Sequence, residues 1–240
     1  MLYGLHAVAA AWQNPKRDCR RLWATRQAWT NLMENADDVP AKRPAPKLVD
    51  RDSLDGLVGP SAVHQGLVLD AAALASPTLE ELAPRSDDKG LATIVMLDQV
   101  TDPHNIGAIL RSACVFGATG LVVQDRHAPP VTGALAKTAS GAVEHVPIVR
   151  VKNLSRALDE LRDAGFFSMG LAEGADQNLA DIGPPKRLAL VLGSEGSGLR
   201  RLVRERCDVL AAIPNKGNLA SLNVSNAAAV ALYAMSQANN

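Results

Sequence analysis

Six stretches in the later part of the chain are apolar on successive residues: LATIVML (91–97), LVV (121–123), VPIV (146–149), FFSMGL (166–171), LALVLG (188–193) and LAAI (210–213). A strand with one face in water alternates apolar and polar residues, so unbroken apolar runs suit strands covered on both faces. Helical patterns lie between the runs. The order predicts an α/β fold with a parallel sheet covered by helices. Ligands of such sheets sit beyond the carboxyl ends of the strands, so the loop after each run is where chemistry is expected.

The start of the chain reads differently. A helix over 5–13, a strand over 20–25, a helix over 26–35, a Pro/Lys stretch, a short helix near 51–57 and a strand at 66–70 make a small α/β unit. Residues 74–90 are rich in Ala, Ser, Pro and acids, lack a sustained apolar period and read as a linker. The predicted layout is one domain over 1–73, a linker over 74–90 and a second domain over 91–240.

Charge narrows the function classes. The 240 residues hold 25 Lys and Arg against 25 Asp and Glu, a net charge of zero, so bulk charge cannot hold this chain on nucleic acid and any RNA site is local. Residues 1–29 carry Lys16, Arg17, Arg20, Arg21 and Arg26 against Asp18 alone, together with Trp12, Trp23 and Trp29. These form either a solvated face over a small tryptophan core or an RNA-facing patch. Eight aromatics in all argue against a binder built on many base-stacking rings. Cys19, Cys114 and Cys207 are odd in number and far apart, which argues against a disulfide framework or a zinc site and points to a reducing compartment. No window approaches the roughly 18 apolar residues of a membrane helix, and the first residues lack the order of a secretory signal, so a cytoplasmic protein is expected.

Three loops stand out. After the 91–97 run, Asp102 and Pro103 suit an N-cap and first turn. At 100° per residue, Ile109, Leu110 and Ala113 fall within about 60° of Ile106, whereas Arg111 lies about 140° away. Arg111 is then either an ordinary exposed arginine or a guanidinium aimed at a phosphate or a partner subunit. The second loop, LVLGSEGSGLRR (190–201), places Glu195 among Gly193, Gly196 and Gly198. It is not a dinucleotide fingerprint, a phosphate loop or a hydrolase elbow, and a plain structural turn is the alternative. The third loop crowds Ser221, Asn223, Ser225 and Asn226 before an Ala-rich helix, more polar residues than capping alone requires.

Together DPHNIGAILRSACVFGA, LVLGSEGSGLRR and IPNKGNLASLNVSNAAAVALY resemble the three ordered motifs of the SpoU (TrmH) branch of the SPOUT methyltransferases, and KTASGAVEHVPIVRV between them is also similar. The resemblance covers residues 90–240. It implies methyl transfer from S-adenosylmethionine to a ribose 2′-hydroxyl of RNA, on a parallel sheet whose C-terminal part is threaded into a trefoil knot, in a homodimer and without a metal. Residue by residue, it implies active-site positions at Asn105, Arg111, Glu195, Ser221 and Asn223, and a cofactor pocket at Leu192, Gly193, Ile213 and Leu222. In the third motif, Asn215 and Lys216 follow Pro214, where the family usually has an apolar residue. YGLHAV (3–8) and HQGLVL (64–69) are similar to the substrate-binding domain of the bacterial subgroup acting on a guanosine of 23S ribosomal RNA. That implies an RNA role for Arg17, Arg20, Arg21, Arg26 and His64, although a lone histidine is more often structural. Transfer RNA as the substrate, and a non-catalytic ribosome-assembly protein of the same fold, are the alternatives.

Overall fold

The computed structural model describes every residue except Asp37, 84–89, His127, Lys216, 219–220 and 238–240. The strands are β1 (Leu2–Tyr3), β2 (Cys19–Ala24), β3 (Lys47–Leu48), β4 (Leu67–Ala71), β5 (Ala92–Asp98), β6 (Gly120–Gln124), β7 (Ile148–Val151), β8 (Phe167–Leu171), β9 (Gln177–Asn178), β10 (Arg187–Gly193) and β11 (Val209–Ala212). The α-helices are α1 (Leu5–Gln13), α2 (Arg26–Glu34), α3 (Arg51–Val58), α4 (Leu79–Leu82), α5 (Pro103–Val115), α6 (Gly133–Thr138), α7 (Leu154–Asp163), α8 (Arg201–Arg204) and α9 (Val224–Gln237). Several helices begin where a side chain accepts from a free N–H of the first turn, as Thr25, Asp50, Asp102 and Asn153 do for α2, α3, α5 and α7. Among the described residues no helix is long and apolar enough to cross a membrane.

The chain divides into two compact units, Met1–Ala75 with Pro129–His145, and Ser76–Ala128 with Val146–Asn240. This departs from the sequence expectation, which kept all of 91–240 in one domain. Segment 129–145 joins the first unit through glycines: a Cβ on Gly133 would lie 2.3 Å from Cε1 of Tyr3, and one on Gly141 would lie 2.8 Å from Cβ of Ala10. Such close approach needs hydrogen in place of a side chain and leaves no apolar run to read in the sequence.

In the first unit the sheet order is β1-β4-β2-β3, with β4 antiparallel to β1 and β2, and β3 parallel to β2. Trp12, Leu22, Leu32, Leu54, Leu67 and Leu69 are buried to at most 1% exposure. Trp12 meets Trp29 edge to face at 6.2 Å between centroids and lies under the Arg43 guanidinium, so this tryptophan belongs to the core. Arg43 also donates to carbonyls of Ala11, Trp12, Asn14 and Arg17, satisfying the exit of α1 from a residue far along the chain.

The second unit holds a seven-stranded, all-parallel sheet in the order β7-β6-β5-β10-β8-β11-β9. Ile94, Met96, Val122, Ala189 and Val191 face one core with Leu154, Leu158 and Leu161 of α7. The alternate residues Val95, Leu97, Leu190 and Leu192 are equally buried, which accounts for the unbroken apolar runs. Part of the expected linker is folded: Thr78 and Glu81 close a capping box on α4, and Leu79 and Ala83 enter the core. Four helical residues are too few to show a period. Residues 84–89 of that segment lie outside the described residues.

Candidate functional site at the strand ends

The chain runs from β5 outward to β6 and β7, then returns to β8 on the other side, and β10 fills the gap beside β5. The order therefore reverses between β5 and β10, and ligands of such sheets bind beyond the carboxyl ends of the strands at this kind of reversal. The register pairs Gly193 with Asp98 there. The loops leaving β5, β10 and β11 all emerge at this end of the parallel sheet, β5 and β10 as neighbours and β11 one strand further on, beyond β8.

They bring three side chains together. Nδ2 of Asn105 donates to Oε1 of Glu195 at 3.1 Å, and Nδ2 of Asn223 donates to the same oxygen at 2.6 Å and to Oδ1 of Asn105 at 2.9 Å. Asn223 Oδ1 accepts from the backbone N–H and hydroxyl of Ser225, at 2.9 and 2.5 Å, and from the N–H of Asn226. Asn223 thus binds the first turn of α9 with its oxygen and the carboxylate with its nitrogen. Ser225 and Asn226 serve this capping arrangement.

Glu195 stands at the tip of a rigid turn. Ser194 and Gly198 exchange two backbone hydrogen bonds, Gly196 and Gly198 take φ of 83° and 64°, and Leu199 is buried in the core. A Cβ on Gly193 would lie 2.2 Å from the carbonyl carbon of Gly198, so the turn closes only over glycine. Asp98, fully buried, fixes the other end: its carboxylate accepts from the backbone N–H of Arg200 at 2.8 Å and from Nε of Arg200 at 2.7 Å. Sequence reasoning missed Asp98 and Arg200. The available signal was an acid closing an otherwise apolar buried strand, a place where burial demands a partner.

The other expected positions divide. Arg111 is exposed on α5 and its side chain makes no hydrogen bond or ion pair among the described residues, while Ile106, Ile109, Leu110 and Ala113 are buried as their spacing requires. Ser221 and Leu222 are exposed before α9, and neither joins the cluster through a hydrogen bond. Ile213 is half-buried where β11 ends, and Leu192 is buried, so Leu192 can offer a ligand only backbone. Asn215 is exposed, and Lys216 lies outside the described residues.

Two members of the expected RNA set are corrected. Arg17 is inside the first unit: its side chain is 4% exposed and pairs with Glu144, whose side chain is 2% exposed, and Nη1 donates to the carbonyl of Ala72. His64 is buried, with Nδ1 accepting from the N–H of Gly66 and Nε2 lying 3.2 Å from Asp55. Both serve packing rather than a ligand. Arg20, Arg21 and Arg26 are exposed, the first two because an irregularity in β2 breaks the alternation of faces.

Residues 92–233 match the SpoU rRNA methylase family, and residues 1–77 match the family of RNA 2′-O ribose methyltransferase substrate-binding domains. The chain is 36% identical over 240 residues to the 23S rRNA (guanosine-2′-O-)-methyltransferase RlmB of Pseudomonas putida, covering 97% of this chain and 94% of that one. It is 38% identical over 237 residues to an uncharacterized tRNA/rRNA methyltransferase of Synechocystis, of which it spans 61%. Among solved structures it resembles the SpoU methyltransferase AviRb of Streptomyces viridochromogenes in complex with the cofactor AdoMet, with a TM-score of 0.80, 25% identity, and coverage of 99% of this chain and 89% of that one. By its motifs, its strand order and these likenesses, the chain belongs to the SpoU rRNA methylase family.

Proposed function

We propose that this protein transfers a methyl group from S-adenosylmethionine to the ribose 2′-hydroxyl of a guanosine in 23S ribosomal RNA. The observation that carries the reading is the Asn105–Glu195–Asn223 cluster beyond the strand ends where the strand order reverses. The RlmB likeness over nearly the whole chain supports the substrate.

The residues at the strand ends fit the cofactor. Gly193 has no side chain and Leu192 turns its own inward, so they present backbone polar groups, while half-buried Ile213 and exposed Leu222 offer apolar contact. S-adenosylmethionine supplies, when bound, a methyl on a sulfonium leaving group. The protein must then align the accepting oxygen and assist loss of its proton. Asn105, Ser221 and Asn223 orient the ribose or the cofactor, and Glu195 holds the two amides in place. Arg111, a delocalised cation with five donors and no acceptor, binds the target phosphate and eases deprotonation by its charge. The working unit is a homodimer in which Arg111 reaches the substrate near the partner's cofactor, a reading supported by exposed Val115, Val230 and Tyr233 on α5 and α9. In this reading the C-terminal part of the parallel sheet is threaded into a trefoil knot, and the protein acts in the cytoplasm on RNA held by the first unit.

Incubation with labelled S-adenosylmethionine and unmodified 23S ribosomal RNA or transfer RNA, followed by nucleoside mass spectrometry, tests this. The expected product is 2′-O-methylguanosine in ribosomal RNA alone. Methylation of transfer RNA alone would overturn the substrate and keep the chemistry. Arg111→Lys, which keeps the charge and loses the planar fork, is expected to slow turnover by about tenfold.

A further inference from the structure

The first unit carries a groove of about 620 Å³ that the methyl-transfer site does not use. His6, Ala9 and Gln13, spaced along one face of α1, line it together with Asn35 after α2. Ser140 and His145 line it as well. Ser140 has φ of 50°, uncommon for a residue with a side chain, and Gly141 follows with φ of 93°, pressed against Ala10. Glu144 also borders the groove, but Arg17 and Asn14 take up its carboxylate, so its charge is compensated within the fold. His6 and His145 are exposed and their imidazoles make no hydrogen bond among the described residues.

This lining combines apolar contact at Leu5 and Ala9 with the two exposed imidazoles, each of which in its neutral form both donates and accepts. That is the chemistry of an unpaired base, whose face needs apolar contact and whose edge needs both donors and acceptors. The size suits one nucleotide and excludes a duplex. We propose that this groove takes one unpaired nucleotide of the RNA substrate, so that the first unit reads a base other than the methylated one. The proposal rests on the reading of this protein as an RNA methyltransferase.

Two variants of the full chain test it: Ala9→Phe, which puts a ring into the groove, and His6→Ala/His145→Ala, which changes only exposed side chains and so covers the case in which the first fails to fold. Both are expected to bind unmodified 23S ribosomal RNA about tenfold more weakly than the wild type. The four nucleoside monophosphates, titrated into the wild type, are expected to shift the NMR signals of His6 and His145, with one base preferred. Unchanged RNA affinity in the folded variants overturns the proposal. If the wild type still methylates that RNA, the failure is the groove's alone, whereas a wild type that neither binds nor methylates RNA overturns the function as well.

Discussion

Glu144 and Glu195 make an instructive pair. Each carboxylate gathers donors from distant parts of the chain: Glu144 takes Arg17 and Asn14, and Glu195 takes Asn105 and Asn223. Glu144 is almost wholly buried with a charged partner, whereas Glu195 is exposed and bound by neutral amides. A buried ion pair is costly to break because the surviving charge cannot be rehydrated. An exposed carboxylate held by amides costs little to lose from the fold, and its remaining lone pairs stay available. Burial, more than residue type, separates the acid that holds the protein together from the acid proposed to serve the reaction.

The sharpest way to break this comparison is Glu144→Ala, expected to destabilise the protein by about 3–5 kcal/mol in denaturant unfolding because Arg17 is left buried and unpaired. A loss below about 1 kcal/mol would show that water reaches the pair. Glu195→Ala is expected to do the reverse, lowering methyl transfer by about a hundredfold, close to 2.7 kcal/mol, with the thermal midpoint almost unchanged. If that variant unfolds instead, the turn rather than the reaction needs the acid.

A third acid refines the contrast at smaller amplitude. Burial works against the Asp208 carboxylate, but hydrogen bonds from the backbone and hydroxyl of Ser168, with the charge of Arg162, outweigh it and hold the pKa below its ordinary value. A depressed folded pKa contributes stability that is present above the unfolded value, near 3.8, and is lost as pH falls through the folded one. Unfolding free energy measured below pH 4 is therefore expected to fall less steeply in Asp208→Asn than in the wild type. The neighbouring Cys207 thiol is pushed up to about 12, chiefly by burial, and is expected to resist alkylation at neutral pH until the protein unfolds.

Much of the fold was legible because buried parallel strands need unbroken apolar runs, and because Asp102 and Pro103 mark a helix start by their own chemistry. The face of α5 carrying Arg111 was legible too, since helical period alone sets it. Arg17 and Arg20 could not be told apart, because the difference between them is Glu144, 127 residues away in the chain from Arg17. Segment 129–145 was equally silent, since it packs through glycines rather than an apolar stripe. Asp98 showed an acid at the end of a strand but not that Arg200 would meet it.

By itself, then, the sequence determined the local periods, the caps and the residue types offered at each strand end, because those depend on neighbours within a turn or two. Tertiary structure alone decided that Asn105, Glu195 and Asn223 share one cluster, that Arg17 lies inside, and that segment 129–145 belongs with the first unit. Each of those outcomes depends on the strand order, which sets which distant side chains meet and which are removed from water.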